Sequence, residues 1–202
     1  MFTGIVQKLV KINSIDKQAN LIRLGLGLDD IAEGLELGAS VAINGVCLTV
    51  SEIAEDLVYF DVIPETLETT NLNSLSISSL VNVERSYKVG DEIGGHIVSG
   101  HIGTTAPLIT LVHEQYDRVF TFKVADSWMK YIFHKGFIAI DGASLTVSAV
   151  DRSNSTFSVS LIPETIARTT LGLIQLKDEV NIEVEAQTVS IVETVERVMA
   201  ER

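Results

Sequence analysis

The sequence is poor in several residue types, and each shortage excludes a class of structure or partner. Cys47 is the only cysteine in 202 residues, so neither an intrachain disulfide nor a zinc site built on several thiolates can form. The 15 Lys and Arg are outnumbered by 27 Asp and Glu, which gives a net charge of −12. Because phosphate contacts need basic side chains, this balance argues against nucleic acid as a partner.

Membrane and secretion signals are also missing. No apolar run approaches the roughly 18 residues of a membrane-spanning helix. Met1-Phe2-Thr3-Gly4 is followed by neither a basic region nor a long apolar stretch, so it does not resemble a secretory signal. We therefore expect a soluble, cytoplasmic protein. Apolar residues make up 46% of the chain, which is ample for a folded core.

What the sequence does contain is an internal repeat. Residues 40–51 (Ser-Val-Ala-Ile-Asn-Gly-Val-Cys-Leu-Thr-Val-Ser) return as residues 137–148 (Phe-Ile-Ala-Ile-Asp-Gly-Ala-Ser-Leu-Thr-Val-Ser), 97 positions later. The motif Ile-Pro-Glu-Thr at 63–66 returns at 162–165, 99 positions later. Several blocks in the same order at nearly one spacing indicate a tandem duplication of a unit of about 95 residues.

Each unit shows the pattern of β structure. Apolar residues alternate with smaller or polar ones, as in half-buried strands. Asn44-Gly45 and Asp141-Gly142 are typical centres of two-residue hairpin turns. Short strands with such turns favour a small closed barrel. The sequence therefore predicts an all-β fold with two similar barrels and a linker within residues 86–92.

The C-terminal segment differs from the rest. Residues 187–202 contain neither Gly nor Pro, and Ser190 with Glu193 forms a candidate capping box. An apolar face at helical spacing consists of Val192, Val195, Val198 and Met199. The sequence predicts one amphipathic helix, and two interpretations stay open: it packs on its own barrel, or it joins neighbouring chains.

Polar residues recur at equivalent strand positions. Alternation places Cys47 and Thr49 on one face, and Ser144 and Thr146 take the same places in the second unit. Polar groups beside apolar neighbours suit a planar heteroaromatic ligand. A single pair would be ordinary barrel lining, but its repetition favours a binding role.

Two further motifs are candidates for chemistry. Glu65-Thr66 and Glu164-Thr165 each place a carboxylate beside a hydroxyl, a combination suited to hydrogen bonding with a polyol. The Gly-rich segment 94–101 allows close approach of the backbone to a ligand. His96 and His101 would point to opposite faces of a strand, which argues against a shared metal. His101 stands where the first unit has Ile5, an asymmetry that a purely structural role does not require.

Together these motifs resemble riboflavin synthases of the two-repeat type. The resemblance extends from residue 1 to about residue 200 and rests on Met1-Phe2-Thr3-Gly4-Ile5-Val6, Asn44-Gly45-x-Cys47-Leu48-Thr49-Val50, Gly94-Gly95-His96-x-x-Ser99-Gly100-His101 and Asp141-Gly142-x-Ser144-Leu145-Thr146-Val147. It implies two six-stranded antiparallel Greek-key barrels and a C-terminal helix. The expected domains are an N-terminal lumazine-binding barrel (1–88), a C-terminal lumazine-binding barrel (89–186) and an oligomerisation helix (187–202).

The resemblance also implies the reaction. Two molecules of 6,7-dimethyl-8-ribityllumazine react, one gives a four-carbon unit to the other, and riboflavin and 5-amino-6-(ribitylamino)uracil result. No metal or organic cofactor is expected. The expected assembly is a homotrimer that associates with lumazine synthase. Each barrel would bind one lumazine, and the two would meet where the N-terminal barrel of one subunit faces the C-terminal barrel of its neighbour.

Site residues follow from the resemblance by position. The catalytic candidates are Cys47, Ser144, His101, Lys135 and Asp141. The substrate-binding candidates are Gly4, Ile5, Val6, Ser40, Cys47, Leu48, Thr49, Asp61, Val62, Ile63, Pro64, Glu65, Thr66, Gly100, His101, Ile102, Lys135, Ser144, Leu145, Thr146, Ser160, Leu161, Ile162, Pro163, Glu164 and Thr165.

A second interpretation is a carrier of the lumazine-protein type, which binds a lumazine or flavin without catalysis. Such relatives typically degrade the pocket of one repeat. Here both repeats keep their polar residues, which favours the enzyme.

Overall fold

The computed structural model describes residues 1–18, 21–113 and 117–201, and its strands form two closed antiparallel barrels. The first barrel consists of β1 (Lys8–Lys17), β2 (Ile22–Leu26), β3 (Ser40–Ile43), β4 (Val46–Ala54), β5 (Leu57–Val62) and β6 (Leu80–Arg85). The second consists of β7 (Thr104–His113), β8 (Arg118–Lys123), β9 (Phe137–Ile140), β10 (Ala143–Asp151), β11 (Thr156–Leu161) and β12 (Glu179–Val184). The predicted pair of six-stranded barrels is confirmed.

Both barrels share one topology. The first has the order β1-β2-β5-β4-β3-β6, and the second has the same cyclic order with each strand replaced by its counterpart. Their bulges also match, and a bulge bends a strand as barrel closure requires. The register shifts lie between Ile12 and Ser14, Val50 and Glu52, Leu108 and Thr110, and Val147 and Ala149.

Each barrel encloses its own core. Phe60 is fully buried in the first, and Phe120, Phe122 and Phe157 stack within the second. Burial of one such side chain stabilises the fold by roughly 1.5–3 kcal/mol. Because each barrel has a separate core, neither core joins the two barrels to one another. The contacts between the barrels are described below.

Both predicted hairpin turns are present. Asn44 and Gly45 have φ of 46° and 78°, and Asp141 and Gly142 have φ of 45° and 81°. Positive φ at both central positions is the requirement of a type I′ turn, which explains the Asn-Gly and Asp-Gly pairs.

The repeated Ile-Pro-Glu-Thr motifs begin short helices. They lead into α1 (Pro64–Thr69) and α2 (Pro163–Arg168), and each helix has proline in its first turn. Proline is tolerated there because the N–H groups of the first turn have no acceptor within the helix, so the N–H that proline lacks is not needed. Short 3-10 helices follow at Asn71–Ser74 and Thr170–Gly172, and two others lie at Asp29–Ala32 and Asp126–Tyr131.

The predicted C-terminal helix exists but begins earlier than its candidate cap. The helix α3 spans Ala186–Ala200 with Glu185 at the N-cap. Ser190 therefore lies in the second turn, where its hydroxyl donates to the Ala186 carbonyl at 2.9 Å. The predicted capping box at Ser190 and Glu193 is wrong, because a serine inside a helix bonds to the preceding turn instead.

The helix α3 contacts its own barrel through charged groups and through Val189, which packs against the second core. Lys130 Nζ lies 3.0 Å from Glu193 and 2.6 Å from Glu196. The predicted apolar face points elsewhere, since Val195 and Met199 are 52% and 70% exposed. Apart from Val192, which is half-buried, this apolar face is thus not covered by the described part of the same chain.

Residues 86–103 connect the two barrels and bring equivalent positions of the repeats together. Phe2 and Val98 form a reciprocal pair, with N–H to O=C distances of 2.8 and 3.0 Å. The predicted boundary after residue 88 falls in this connection, and the one after residue 186 falls at the start of α3. Both boundaries stay predictions. Residue 202, in the predicted third domain, lies outside the described residues.

The two hairpin turns pack back to back between the barrels. Asn82 Nδ2 donates to the Asp141 carbonyl, and Asn181 Nδ2 donates to the Asn44 carbonyl, both at 2.8 Å. A Cβ on Gly45 would lie 2.6 Å from the Gly142 nitrogen, so glycine is needed for this approach. These reciprocal contacts relate the barrels by approximate two-fold symmetry.

Asp141 breaks this symmetry with a buried carboxyl group. Its Oδ1 accepts bonds from the Asn181 N–H at 2.8 Å and Asn71 Nδ2 at 3.0 Å. Burial raises the pKa of Asp141 to about 7, although these bonds oppose the shift. The charged form is therefore costly in the folded state.

We predict that Asp141→Asn stabilises the protein at alkaline pH. Because the folded-state pKa of Asp141 lies above its unfolded value, its contribution to stability is complete below about pH 4 and is lost as the pH rises through 7. The free energy of unfolding of the variant, relative to the wild type, should rise between pH 4 and 8, by about 4 kcal/mol at most. Urea denaturation at both pH values measures it. The exposed Asp56→Asn serves as the control, and equal pH dependence of the two variants would contradict the prediction.

Candidate functional site

The N-terminal segment of each repeat crosses to the opposite barrel. Gly4 of the first repeat accepts a bond from the Ser144 N–H at 2.8 Å, and Gly100 of the second accepts one from the Cys47 N–H at 2.9 Å. Each crossing segment thus lies beside the strand that carries the polar residues of the other repeat. The repeats are equivalent in sequence, but each site is built from both of them.

Two buried carboxylates hold the crossing segments in place. Glu84 accepts from the N–H and hydroxyl of Thr3, both at 2.7 Å, and from the Gly4 N–H at 3.0 Å. Glu183 binds Ser99 and Gly100 in the same way, at 2.7 and 2.9 Å. Burial raises the pKa of Glu84, while the three bonds favour its charged form.

The crossing requires glycine. Gly4 and Gly100 have φ of 75° and 84°, in the left-handed region. A Cβ on Gly4 would lie 2.5 Å from the Ser144 Cβ, and one on Gly100 would lie 2.5 Å from the Cys47 Cβ. No side chain fits at either position.

The first site, which we call groove one, has a volume of about 220 Å³. It lies between the start of β4, the helix α1 and the crossing segment of the second repeat. Its lining residues are Val46, Cys47, Glu65, Thr66, Thr69, Thr70, Gly100, His101 and Ile102.

The second site, groove two, has a volume of about 180 Å³ and the same construction from β10, α2 and the first crossing segment. Its lining residues are Gly4, Ile5, Val6, Ala143, Ser144, Glu164, Thr165, Arg168 and Thr169. The two grooves therefore bring together twelve of the predicted site residues, six in each.

Other candidates lie outside the grooves. The side chains of Leu48, Val62 and Leu161 are buried in the barrel cores. Asp61 on β5 is held by Arg23, at 2.7 and 3.0 Å, and this pairing lowers its pKa. The remaining candidates flank the grooves in sequence without lining them: Ser40, Thr49, Ile63, Pro64, Leu145, Thr146, Ser160, Ile162 and Pro163.

Two of the five catalytic candidates are also outside the grooves. Lys135 is exposed in the turn before β9, where its φ of 65° matches the 82° of its counterpart Gly38. Asp141 lies in the contact between the barrels and not beside a groove. The other three do line grooves: Cys47 and His101 lie together in groove one, and Ser144 lies in groove two.

His96 was not among the candidates, yet it adjoins groove two. Its Nδ1 lies 2.7 Å from Ser144 Oγ, and its ring stacks on Phe137 with 5.1 Å between centroids. Burial lowers the pKa of His96, with Glu185 opposing the shift. The sequence offered one signal, the place of His96 in the Gly-Gly-His motif. It did not indicate the contact with Ser144, because the two residues are 48 positions apart in the chain.

No three His, Cys, Asp or Glu side chains in residues 1–18, 21–113 and 117–201 come together as metal ligands would. Over the same ranges, no helix is both long and apolar enough to cross a membrane.

Comparisons with known proteins agree with the two-site arrangement. The model of the lumazine binding domain matches the chain twice, at residues 3–86 and 99–185. Riboflavin synthase of Escherichia coli (strain K12) is 53% identical over 204 residues, covering 100% of this chain and 95% of the relative. Riboflavin synthase of Chlamydia pneumoniae is 44% identical, covering 99% and 98%.

Solved structures of LumP are similar as well. The crystal structure of LumP complexed with riboflavin has a TM-score of 0.84 and 27% identity, covering 92% of this chain and all of that one. LumP complexed with 6,7-dimethyl-8-(1′-D-ribityl) lumazine has a TM-score of 0.81 and 27% identity, with coverage of 92% and 99%.

We predict that Gly4→Ala destabilises the protein more than Gly34→Ala does. Both glycines have positive φ, so both variants are strained by about 1–2 kcal/mol. Only at Gly4 does the new methyl group also meet Ser144, since nothing lies within 4 Å at Gly34. The overpacking should add about 1–3 kcal/mol to the loss in free energy of unfolding, measured by urea denaturation. Equal losses would show that the crossing segment is not tightly packed.

Proposed function

The chain belongs to the riboflavin synthase family, and we propose that it catalyses the dismutation of 6,7-dimethyl-8-ribityllumazine to riboflavin and 5-amino-6-(ribitylamino)uracil. The observation that carries this proposal is the pair of grooves with corresponding polar groups. A reaction between two copies of one molecule needs two related sites. Because one copy gives and the other receives the four-carbon unit, the two sites should also differ.

The shared groups suit the shared parts of the substrate. Glu65-Thr66 and Glu164-Thr165 stand at the first turns of α1 and α2, where carboxylates and hydroxyls can bind the ribityl hydroxyl groups. Cys47 and Ser144 lie against the crossing segments, where the backbone comes close enough to contact a ring edge. Each groove thus offers one end to the ring and the other to the polyol.

The groups that differ suit unequal roles. Groove two has Ser144 hydrogen-bonded to His96, whose lowered pKa favours a neutral ring that can accept the hydroxyl proton. Groove one has Cys47 and His101. We propose that one of Cys47, Ser144 and His101 helps to place the nucleophile that adds at C7 of the acceptor. Lys135 and Asp141 lie outside the grooves, and the chemistry proposed here uses neither of them.

Positioning would supply much of the rate enhancement. Holding two reactants in a productive arrangement contributes about 7–11 kcal/mol in favourable intramolecular cases. The methyl group at C7 of the lumazine is already acidic, so modest help from a base suffices. A strongly activated nucleophile is not required.

The grooves also support an oligomer. Volumes of about 220 and 180 Å³ fall below the roughly 300–1,000 Å³ of most small-molecule sites, so a second surface must cover the bound ring. We propose that a neighbouring subunit covers it, in a homotrimer joined through α3. The exposed apolar face of α3 supports this assembly. The same family membership suggests a cytoplasmic enzyme that associates with lumazine synthase.

A carrier function is the second candidate, because LumP binds riboflavin and a lumazine in the solved structures that resemble this chain. Both grooves here keep a Glu-Thr pair and a thiol or hydroxyl group. A carrier needs only one such site. Incubation of the purified protein with the lumazine separates the two: flavin absorbance supports the enzyme, and a coloured complex without turnover supports the carrier.

We predict that Cys47→Ala and His101→Gln each lower turnover of the lumazine at least tenfold, while its dissociation constant changes less than threefold. Both residues line groove one, and their side chains bear on the reacting ring more than on the ribityl chain. Steady-state flavin formation and fluorescence titration measure the two quantities. Unchanged turnover would remove both residues from the mechanism.

We predict that deletion of residues 187–202 yields monomers. The deletion removes the exposed apolar face that we propose to join the subunits. It spares the buried members of both barrel cores and removes Val189, which packs against the outside of the second core. Sedimentation velocity of the full chain and of the shortened chain gives the masses. Trimers that persist after the deletion would contradict assembly through α3.

A further inference from the structure

His96 and Phe137 form a stacked pair beside groove two, and the function proposed above gives a role to His96 alone. The ring centroids lie 5.1 Å apart, and the two planes are inclined by 15°. The burial of the two residues differs, since His96 is 7% exposed and Phe137 is 52% exposed. Phe137 therefore covers the imidazole on one side, while half of its own surface stays accessible.

The imidazole of His96 is held between Phe137 and Ser144. Its Nδ1 lies 2.7 Å from Ser144 Oγ. The stack on Phe137 sets the plane of the imidazole, and the hydrogen bond selects the edge that faces Ser144. Gly95 permits this approach, because a Cβ at that position would lie 2.7 Å from the Ser144 Cβ. The orientation of the imidazole thus depends on one polar contact and one aromatic contact.

The register of the sheet places Phe137 on the same face as Ser144. In the pairing of β9 with β10, Phe137 lies opposite Thr146, and Ala139 lies opposite Ser144. Residues two positions apart on a strand share a face, so these four side chains project from one side of the sheet. Phe137 therefore reaches His96 on the side of the sheet from which Ser144 lines groove two.

The first repeat has no aromatic ring at the corresponding position. Ser40 stands there, 97 positions before Phe137, and pairs with Thr49 as Phe137 pairs with Thr146. The two repeats thus share the pairing of the strands and differ in the side chain. The stack with His96 belongs to groove two, where the proposed reaction needs groups that groove one does not have.

The surroundings of His96 favour its neutral form. Phe137 on β9 and Ser144 on β10 contact the imidazole with uncharged groups. Burial lowers the pKa of His96, and the charge of Glu185 at the N-cap of α3 opposes this shift. Only a neutral imidazole can accept a hydrogen bond from the Ser144 hydroxyl, because both nitrogens of a protonated ring are donors.

We propose that Phe137 is a positioning residue for the reaction, whose ring holds the His96 imidazole so that Nδ1 accepts a hydrogen bond from the Ser144 hydroxyl. This inference rests on the proposed function, in which Ser144 belongs to the site for one of the two lumazines. With its hydrogen directed to His96, Ser144 Oγ keeps its lone pairs free for the ligand. Phe137 acts through His96, so its loss lowers turnover more than binding.

The test compares Phe137→Ser, Phe137→Tyr, His96→Gln and the double variant Phe137→Ser/His96→Gln with the wild type. Serine is the residue that the fold already carries at the equivalent position of β3. Phe137→Ser should lower kcat about tenfold and change the affinity for riboflavin less than about threefold. Phe137→Tyr keeps the ring and should keep kcat within about twofold of the wild type. The double variant should be at most about twofold slower than His96→Gln, because Phe137 acts through His96.

Phe133→Ser is the matched control. Phe133 is 44% exposed, close to the value for Phe137, but its ring lies 5.6 Å from the Arg152 guanidinium instead of stacking on His96. The control should keep the wild-type kcat. The inference is overturned by a kcat of Phe137→Ser within twofold of the wild type, by an equal loss in Phe133→Ser, or by losses that multiply in the double variant.

Titration of the histidine ring signals by NMR gives a readout that needs no turnover, with His96 identified by the signal that is missing from His96→Gln. Phe137→Ser should raise the pKa of His96 toward its ordinary value, because water then reaches the imidazole. Phe133→Ser should leave this pKa unchanged. An unchanged pKa of His96 in Phe137→Ser refutes the inference. A wild-type protein that forms no riboflavin would refute the proposed function instead, and the titration would then decide whether Phe137 holds His96.

Discussion

The structure depends on the exchange of short segments between the two barrels. Each crossing segment is fixed by a carboxylate of its own barrel, Glu84 or Glu183, and it completes a groove on the opposite barrel. A buried carboxylate without such bonds would be costly, but three N–H or O–H donors satisfy each of these. The grooves therefore exist only while the barrels stay in contact, which makes the contact between them part of the site.

Within this symmetric frame, a few substitutions give the grooves different chemistry. Cys47 corresponds to Ser144, and Ile5 corresponds to His101, yet the crossing places Ile5 beside Ser144 and His101 beside Cys47. His96 then supplies Ser144 with a hydrogen-bond partner. Duplication followed by a handful of changes is thus sufficient for two bound copies of one molecule to meet different groups.

Asp141 is a buried carboxyl group that carries a cost in stability. A neutral asparagine is tolerated in the equivalent turn at Asn44, and burial makes the charged form of Asp141 unfavourable near neutral pH. The same carboxylate binds Asn71 and Asn181 across the two barrels. A group that lowers stability near neutral pH is therefore retained in the contact between the barrels.

The sequence by itself determined the duplication, the hairpin turns at 44–45 and 141–142, the closed barrels and the C-terminal helix, because these follow from local periodicity and turn chemistry. It also pointed to most of the groove lining, since those residues recur in motifs. Only the tertiary structure decided that each groove draws on both repeats, that His96 lies against Ser144, and that Leu48 faces a core. These outcomes depend on contacts between residues 48 to 140 positions apart, and local patterns carry no information about which distant segments meet.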